Sequence, residues 1–184
     1  MSLFHDLMTF DYSVTCSMLG IDSTTNPQYI KPLNPTYSPA GKQKPEENLV
    51  FYLATFDNED VNRQIDDITD PNADSTLVSK TYQYVRNVRF IWQTYGDDGM
   101  EWADTMRFKL FMPDIQELFA KQSLSLITDV PEPVYVPELI GQQWYKRYDL
   151  SATFNQLVTV SSTLPAISGT NIYVETDKGV VSKC

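Results

Sequence analysis

Few residues in this chain could do covalent or metal chemistry, and their spacing argues against it. The sequence holds one His and two Cys in 184 residues. His5 stands among Leu3, Phe4 and Leu7, with no Ser or Cys near it in a nucleophile motif. It reads as a surface or edge-of-core histidine. Cys16 and Cys184 are isolated, and a bridge between them would tie the last residue to an early segment. Two free thiols in a reducing compartment are the simpler expectation. A zinc site needs more His and Cys than this. Carboxylates are plentiful, at 24 Asp plus Glu. Two acids across a cleft can hydrolyse a glycoside, and Glu132 with Glu138, or Glu101 with Asp104, are pairs to weigh, but neither is distinctive. The densest acidic group is Asp57, Glu59, Asp60, Asp66, Asp67, Asp70 and Asp74. It lacks the spacing and the glycine of a calcium loop and reads as a solvated, self-repelling connection. No dinucleotide fingerprint, phosphate loop or Gly-x-Ser-x-Gly elbow is present. The expectation is a protein that is not an enzyme, with no cofactor and no metal.

Charge narrows the partners. Lys plus Arg total 14, giving a net −10 and a pI near 4.4. A surface that grips nucleic acid needs a dense set of cations, and so does one that binds an anionic membrane. Hydrophobic residues at 42% and aromatics at 12% are enough to bury a sizeable core. The opening residues carry no basic region, and no stretch approaches a membrane span, so neither a secretory leader nor a spanning helix is expected.

The elements that position these residues follow from periodicity. Leu3, Leu7, Phe10 and Val14, widened by Phe4 and Met8, predict an amphipathic helix over 3–18. Residues 20–47 hold five of the 11 prolines, which excludes a helix or a central strand and predicts an extended arm. Residues 49–56 are apolar at nearly every position and predict a strand covered on both faces. The acidic connection, 57–75, sets seven acids against Arg63 alone, six of the ten net negative charges. Residues 78–95 alternate into a strand that pairs with 49–56. Asp98 and Glu101 resemble a capping box ahead of a helix with Trp102, Ala103, Met106 and Leu110 on one stripe. Pro113 opens a second helix to Ala120, with Leu118 and Phe119 on its apolar side. A strand is predicted over 123–130, then a stiff connection through Pro131, Pro133 and Pro137.

Residues 142–161 carry the clearest pattern. Trp144, Tyr148, Leu150, Ala152, Phe154, Val158 and Val160 take even positions, and polar residues take most odd ones. Lys146, Gln156, Tyr145 and Leu157 break the rule. This predicts one long strand whose polar face, including Asp149, Ser151, Thr153 and Asn155, meets a channel, a partner or plain solvent. On this phase Trp92, Trp102 and Trp144 all read as core. Asn171 to Thr176 forms a last strand. The fold class is α+β, a single domain over 1–184. Its sheet is mainly antiparallel with helices on one face.

One ordered set of segments resembles a known family. Val85-Arg86-Asn87-Val88-Arg89-Phe90-Ile91-Trp92-Gln93-Thr94-Tyr95-Gly96 leads into Trp102-Ala103-Asp104-Thr105-Met106-Arg107-Phe108-Lys109-Leu110. Leu124 to Val130, Val136-Pro137-Glu138-Leu139, and Gly141-Gln142-Gln143-Trp144-Tyr145-Lys146-Arg147-Tyr148-Asp149-Leu150 follow, then Phe154-Asn155. Over about residues 80–160 this succession resembles the phage neck and tail terminator family. The Pro-rich arm and the acidic loop look enlarged beside that family. The resemblance implies a virion protein assembled in the host cytoplasm as a homo-hexameric ring. It would end the tail tube, bind the head-side connector and let DNA pass through its lumen without specific binding, away from any membrane. Contacts with a neighbour would use Arg86, Arg89, Lys146 and Arg147 against Asp57, Glu59, Asp60, Asp66 and Asp67. The arm, the acidic loop and the loop 131–141 would join them. Asp149, Ser151, Thr153 and Asn155 would line a polar face or lumen. Three alternatives stay open: another connector or tail-completion protein, a carbohydrate-binding β module, and an acidic hydrolase.

Overall fold

A computed structural model describes residues 3–33, 44–57, 64–71, 77–165, 173–176 and 179–183. Residues 34–43 of the predicted arm, Glu59, Asp60 and Cys184 lie outside the described residues. The chain separates into two compact units. The first comprises residues 1–63 and 85–157, and the second comprises 64–84 and 158–184.

The first unit is built on strands β2 (Leu49–Asp57), β4 (Leu77–Tyr95) and β9 (Arg147–Pro165), of which β4 and β9 each give one end to the second unit. The short β1 (Ile30–Pro32) runs parallel to β2 at one edge, and β5 (Leu124–Leu126) closes the order β1-β2-β4-β9-β5. β2 pairs antiparallel with β4, as the patterning predicts. The Pro-rich stretch was excluded from a helix or a central strand and expected as an extended arm. It contributes β1 because Pro32 ends the strand at the sheet edge, where a missing N–H breaks no ladder. The strand predicted over 123–130 shortens to β5, held by Leu124 opposite Gln156 and Leu126 opposite Phe154.

Alternation sorts the two faces of this sheet. Val50, Tyr52, Ala54, Val88, Phe90, Trp92, Leu150, Ala152 and Phe154 point to one side. There they meet helices α1 (Leu3–Leu19), α2 (Gly99–Lys109) and α3 (Pro113–Ala120). α1 supplies Leu7, Val14, Cys16 and Met18, α2 supplies Met106 followed by Leu110, and α3 supplies Ile115 and Phe119. The helices therefore cover one face, as expected for α+β. Trp92 is fully buried, and its Nε1–H donates to Asp11 and Thr15 on α1 at 3.0 and 2.9 Å. Trp102 is half-buried against the same core. On the other face Leu49, Phe51 and Tyr95 form a smaller cluster with Tyr145, Leu33 and Ile140. The two clusters confirm that β2 is covered on both sides.

The capping-box reading fails in detail. Asp98 precedes α2 but makes no side-chain cap. Its φ of −92° and ψ of 10° lie outside the extended region an N-cap needs. Its carboxylate instead accepts from Asn48 Nδ2 at 2.7 Å, and its N–H donates to Asn48 Oδ1 at 3.0 Å. Gly96 permits this approach: at φ +99° a Cβ would strike the backbone of Glu47 and Asn48.

Apart from residues 64 and 65, the described residues of the second unit are all in strands. β3 (Asp66–Pro71) pairs antiparallel with β4 from Asp66 opposite Gln83 to Pro71 opposite Val78. About a third of the acidic connection, Asp66–Pro71, is thus strand and not loop. Its net charge hid the alternation Asp66, Ile68, Asp70 against Asp67 and Thr69, and Lys80 offsets Asp67 across the pair at 3.1 Å. β10 (Tyr173–Thr176) pairs with β11 (Gly179–Lys183), so the predicted final strand is one arm of a hairpin. Val160 and Leu164 keep the apolar phase of β9 but stay exposed, because this unit has no helix among its described residues.

Candidate assembly surface

The predicted strand over 142–161 is two elements, and the break decides what the surface presents. β7 (Glu138–Ile140) and β8 (Gln143–Tyr145) form a tight hairpin, and β9 starts after Lys146. The hairpin turn places Gly141 at φ 54° and Gln142 at φ 73°. Two successive left-handed residues match the right-handed twist of the flanking strands. Tyr145 shares the odd-numbered face of Arg147 and turns inward, while Trp144 lies on the even-numbered face, which the hairpin, outside the main sheet, leaves uncovered. Trp144 was expected in the core. It is 65% exposed and faces Leu139, 57% exposed, directly across the hairpin. Before the hairpin, β6 (Val134–Tyr135) pairs with the start of β9 and leaves Val134 and Tyr135 exposed too. The Tyr135 ring packs on Tyr148 at 5.1 Å.

The inner side of the hairpin is fixed by packing and charge. Ile140 and Tyr145 sit on Leu49, Phe51 and Tyr95. Arg147 donates to both oxygens of Asp149 at 2.7 and 2.6 Å, and to Glu138 at 3.4 Å. Tyr95 donates to the same Glu138 oxygen at 2.7 Å. A bidentate fork is the strong form of this pairing, and the bonds to Asp149 first, then the carboxylates' charge, push the Arg147 pKa further up. Burial, then the bond to Glu138, pushes the Tyr95 hydroxyl well above its ordinary range, so it stays a donor. Glu138 is spent on this clamp and is not presented with Glu132 across a cleft.

On β9, Asp149, Ser151, Thr153 and Asn155 alternate with the buried Leu150, Ala152 and Phe154. Arg86 meets Gln156, and Thr94 meets the Tyr148 carbonyl. Polar residues stand opposite one another on neighbouring strands: Asp57 and Asn87, with Thr55 and Arg89 beside them, on β2 and β4, and Ser125 and Asn155 on β5 and β9. Ser151 and Thr153 are half-buried and Asn155 is exposed. Arg89 bonds Asp57 at 2.8 Å, and Lys146 bonds Asp97 at 2.7 Å. Arg86 lies over the Phe56 ring at 4.5 Å and donates to Gln156, a buried residue that pattern counting set aside as an exception. All four predicted cations therefore have partners within the chain, and Asp66 and Asp67 are exposed on β3. The Arg89 side chain is 46% exposed and that of Asp57 17%, so Arg89→Ala is expected to cost about 1 kcal/mol of folding stability in urea titration.

The exposed pair of Leu139 and Trp144 escaped the sequence reading. Its signal was the Gly141-Gln142 turn between two three-residue runs. Among the described residues no group of three His, Cys, Asp or Glu could hold a metal ion, and no helix is long and apolar enough to cross a membrane. Compared with known families, the chain matches the model described as phage neck terminator protein over residues 11–178, well beyond the segments that carried the resemblance. No curated protein matches it.

Proposed function

The chain belongs to the phage neck terminator protein family, and on that premise we propose that it works through interfaces as a homo-hexameric ring at the head-to-tail junction. The ring ends the tail tube, joins it to the head-side connector and lets DNA through its lumen. The observation that carries this is the hairpin surface. Leu139 and Trp144 stand outward on a hairpin whose inner side is clamped by Arg147, Glu138 and Tyr95. A rigid, exposed Trp with apolar neighbours is the kind of anchor that dominates protein contacts. Ring contacts of this kind use two different patches per copy and close at a fixed rotation. The facing polar residues on β2 and β4 and on β5 and β9 support a lumen or neighbour contact. The net −10, with Arg89, Lys80, Lys121, Lys146 and Arg147 each in an ion pair, suits a passage that does not grip phosphate.

Trp144→Ser tests the anchor. Because Trp144 is exposed, the change is expected to alter urea stability by less than about 0.5 kcal/mol while lowering the assembled fraction by light scattering at least tenfold. Unchanged assembly would remove the hairpin from the interface. The exposure of Trp144 is also the one observation that favours a carbohydrate-binding module. A saccharide that saturably quenches Trp144 emission would establish that reading.

A further inference from the structure

Asp11 lies in the middle of α1 and is completely buried. One carboxylate oxygen accepts from Trp92 Nε1 at 3.0 Å and from Thr15 Oγ1 at 3.3 Å. The other oxygen is buried and has no partner. No described Lys or Arg pairs with it. The groups that interact with it are Thr15 on α1, Tyr52 on β2 and Trp92 on β4, and Tyr12 and Cys16 of α1 in turn act on Tyr52. None of these is a cation. A lone buried carboxylate is expensive and takes up a proton when no cation is at hand.

We propose that Asp11 is carried as the neutral acid in the folded chain and serves as a pH-dependent release for α1. When it ionises, the stranded charge is relieved by α1 opening from β2 and β4. α1 is the element that gives way because it carries the group, and because the β2-β4-β9 ladder does not run through it. Burial, the largest cause, pushes the Asp11 pKa well above 3.8, against the opposing bonds from Trp92 and Thr15. A raised folded-state value fixes the sign. The stabilisation is complete below the unfolded value and is lost as pH rises through the folded one. Between the unfolded value and the folded one the opening constant rises about tenfold per pH unit, and it levels off above the folded one. Tyr52 does not compete as a proton donor, because burial first and the Asp11 charge second push it up to about 12.

Cys16 reports the opening, since it is buried on the same helix. In a Cys184→Ser background, the labelling rate of Cys16 is compared with that of the same protein unfolded in urea at each pH from 5 to 9, which cancels thiol ionisation. The ratio is expected to climb toward tenfold per pH unit in the parent and to stay flat in Asp11→Asn, while far-ultraviolet dichroism keeps the strand signal. A flat ratio in the parent, the same climb in Asp11→Asn, or loss of strand signal together with labelling would overturn the proposal. Infrared spectra of the parent do not depend on the variant folding. At neutral pH a protonated-carboxyl band is expected, and its absence would also overturn the proposal.

Discussion

Phe90→Ala is expected to cost about 4–5 kcal/mol of folding stability, the upper part of the range for a buried aromatic. Phe90 is fully buried at the centre of β4. Its ring meets Phe10 of α1 at 6.4 Å, Phe119 of α3 at 5.7 Å, Phe154 of β9 at 5.2 Å and Trp92 at 6.0 Å. One side chain thus joins two helices to two strands. The usual relief for a cavity is inward collapse of its neighbours. Ala54 faces Phe90 from β2 in the ladder. It is buried and has no further atoms to move in. A loss of this size is comparable with the whole stability of a marginal domain. The check is a urea titration followed by Trp emission, with Phe108→Ala as control. Phe108 is 61% exposed, so its truncation is expected to stay within about 0.5 kcal/mol. Equal losses in the two variants would mean that Phe90 is not the hub of the core.

Arg147→Met is expected to cost about 2–4 kcal/mol, most of it from the partners left behind. The Arg147 side chain is 20% exposed and bridges Asp149 to Glu138, the acid that also accepts from Tyr95. Met fills much of the volume but leaves two half-buried carboxylates without their cation. Adding Asp149→Asn removes one of those charges and is expected to restore part of the loss, a coupling that a double-mutant cycle reads directly. The same clamp holds the hairpin that presents Trp144. Arg147→Met is therefore also expected to speed proteolytic nicking at Gly141–Gln143, while Arg89→Ala leaves it unchanged. If the double variant is no more stable than Arg147→Met alone, the clamp is not electrostatic.

The sequence disclosed most where one period ran long. The α1 stripe, the alternation of β4 and the Pro113 start of α3 all appear where patterning placed them. Continuous apolarity in 49–56 foretold that β2 is covered twice, and the two core clusters bear this out. Reading failed where a local event outweighed the period. The tight turn at Gly141-Gln142 ties β8 to β7 in a hairpin outside the main sheet, and there the even face that is buried along β9 is left uncovered, which sent Trp144 to the surface. Charge masked β3, since Asp66 and Asp67 look like loop residues until Lys80 pairs across the ladder. The clamp was hidden for another reason: Tyr95, Glu138 and Arg147 are far apart in the chain, and only pairing brings them together. The cations picked as scarce were informative as a set, yet their partners, Gln156, Asp97 and Asp149, could not be chosen from 24 acids and many amides by spacing alone.

The central claim is that copies of this chain close into a ring at the end of a tail tube. Electron microscopy of the purified protein, alone and mixed with tail tubes, tests it most directly. The account predicts closed six-membered rings with an open lumen, seated on tube ends when tubes are present. Monomers under both conditions, together with tails of normal length from a phage lacking the protein, would contradict it.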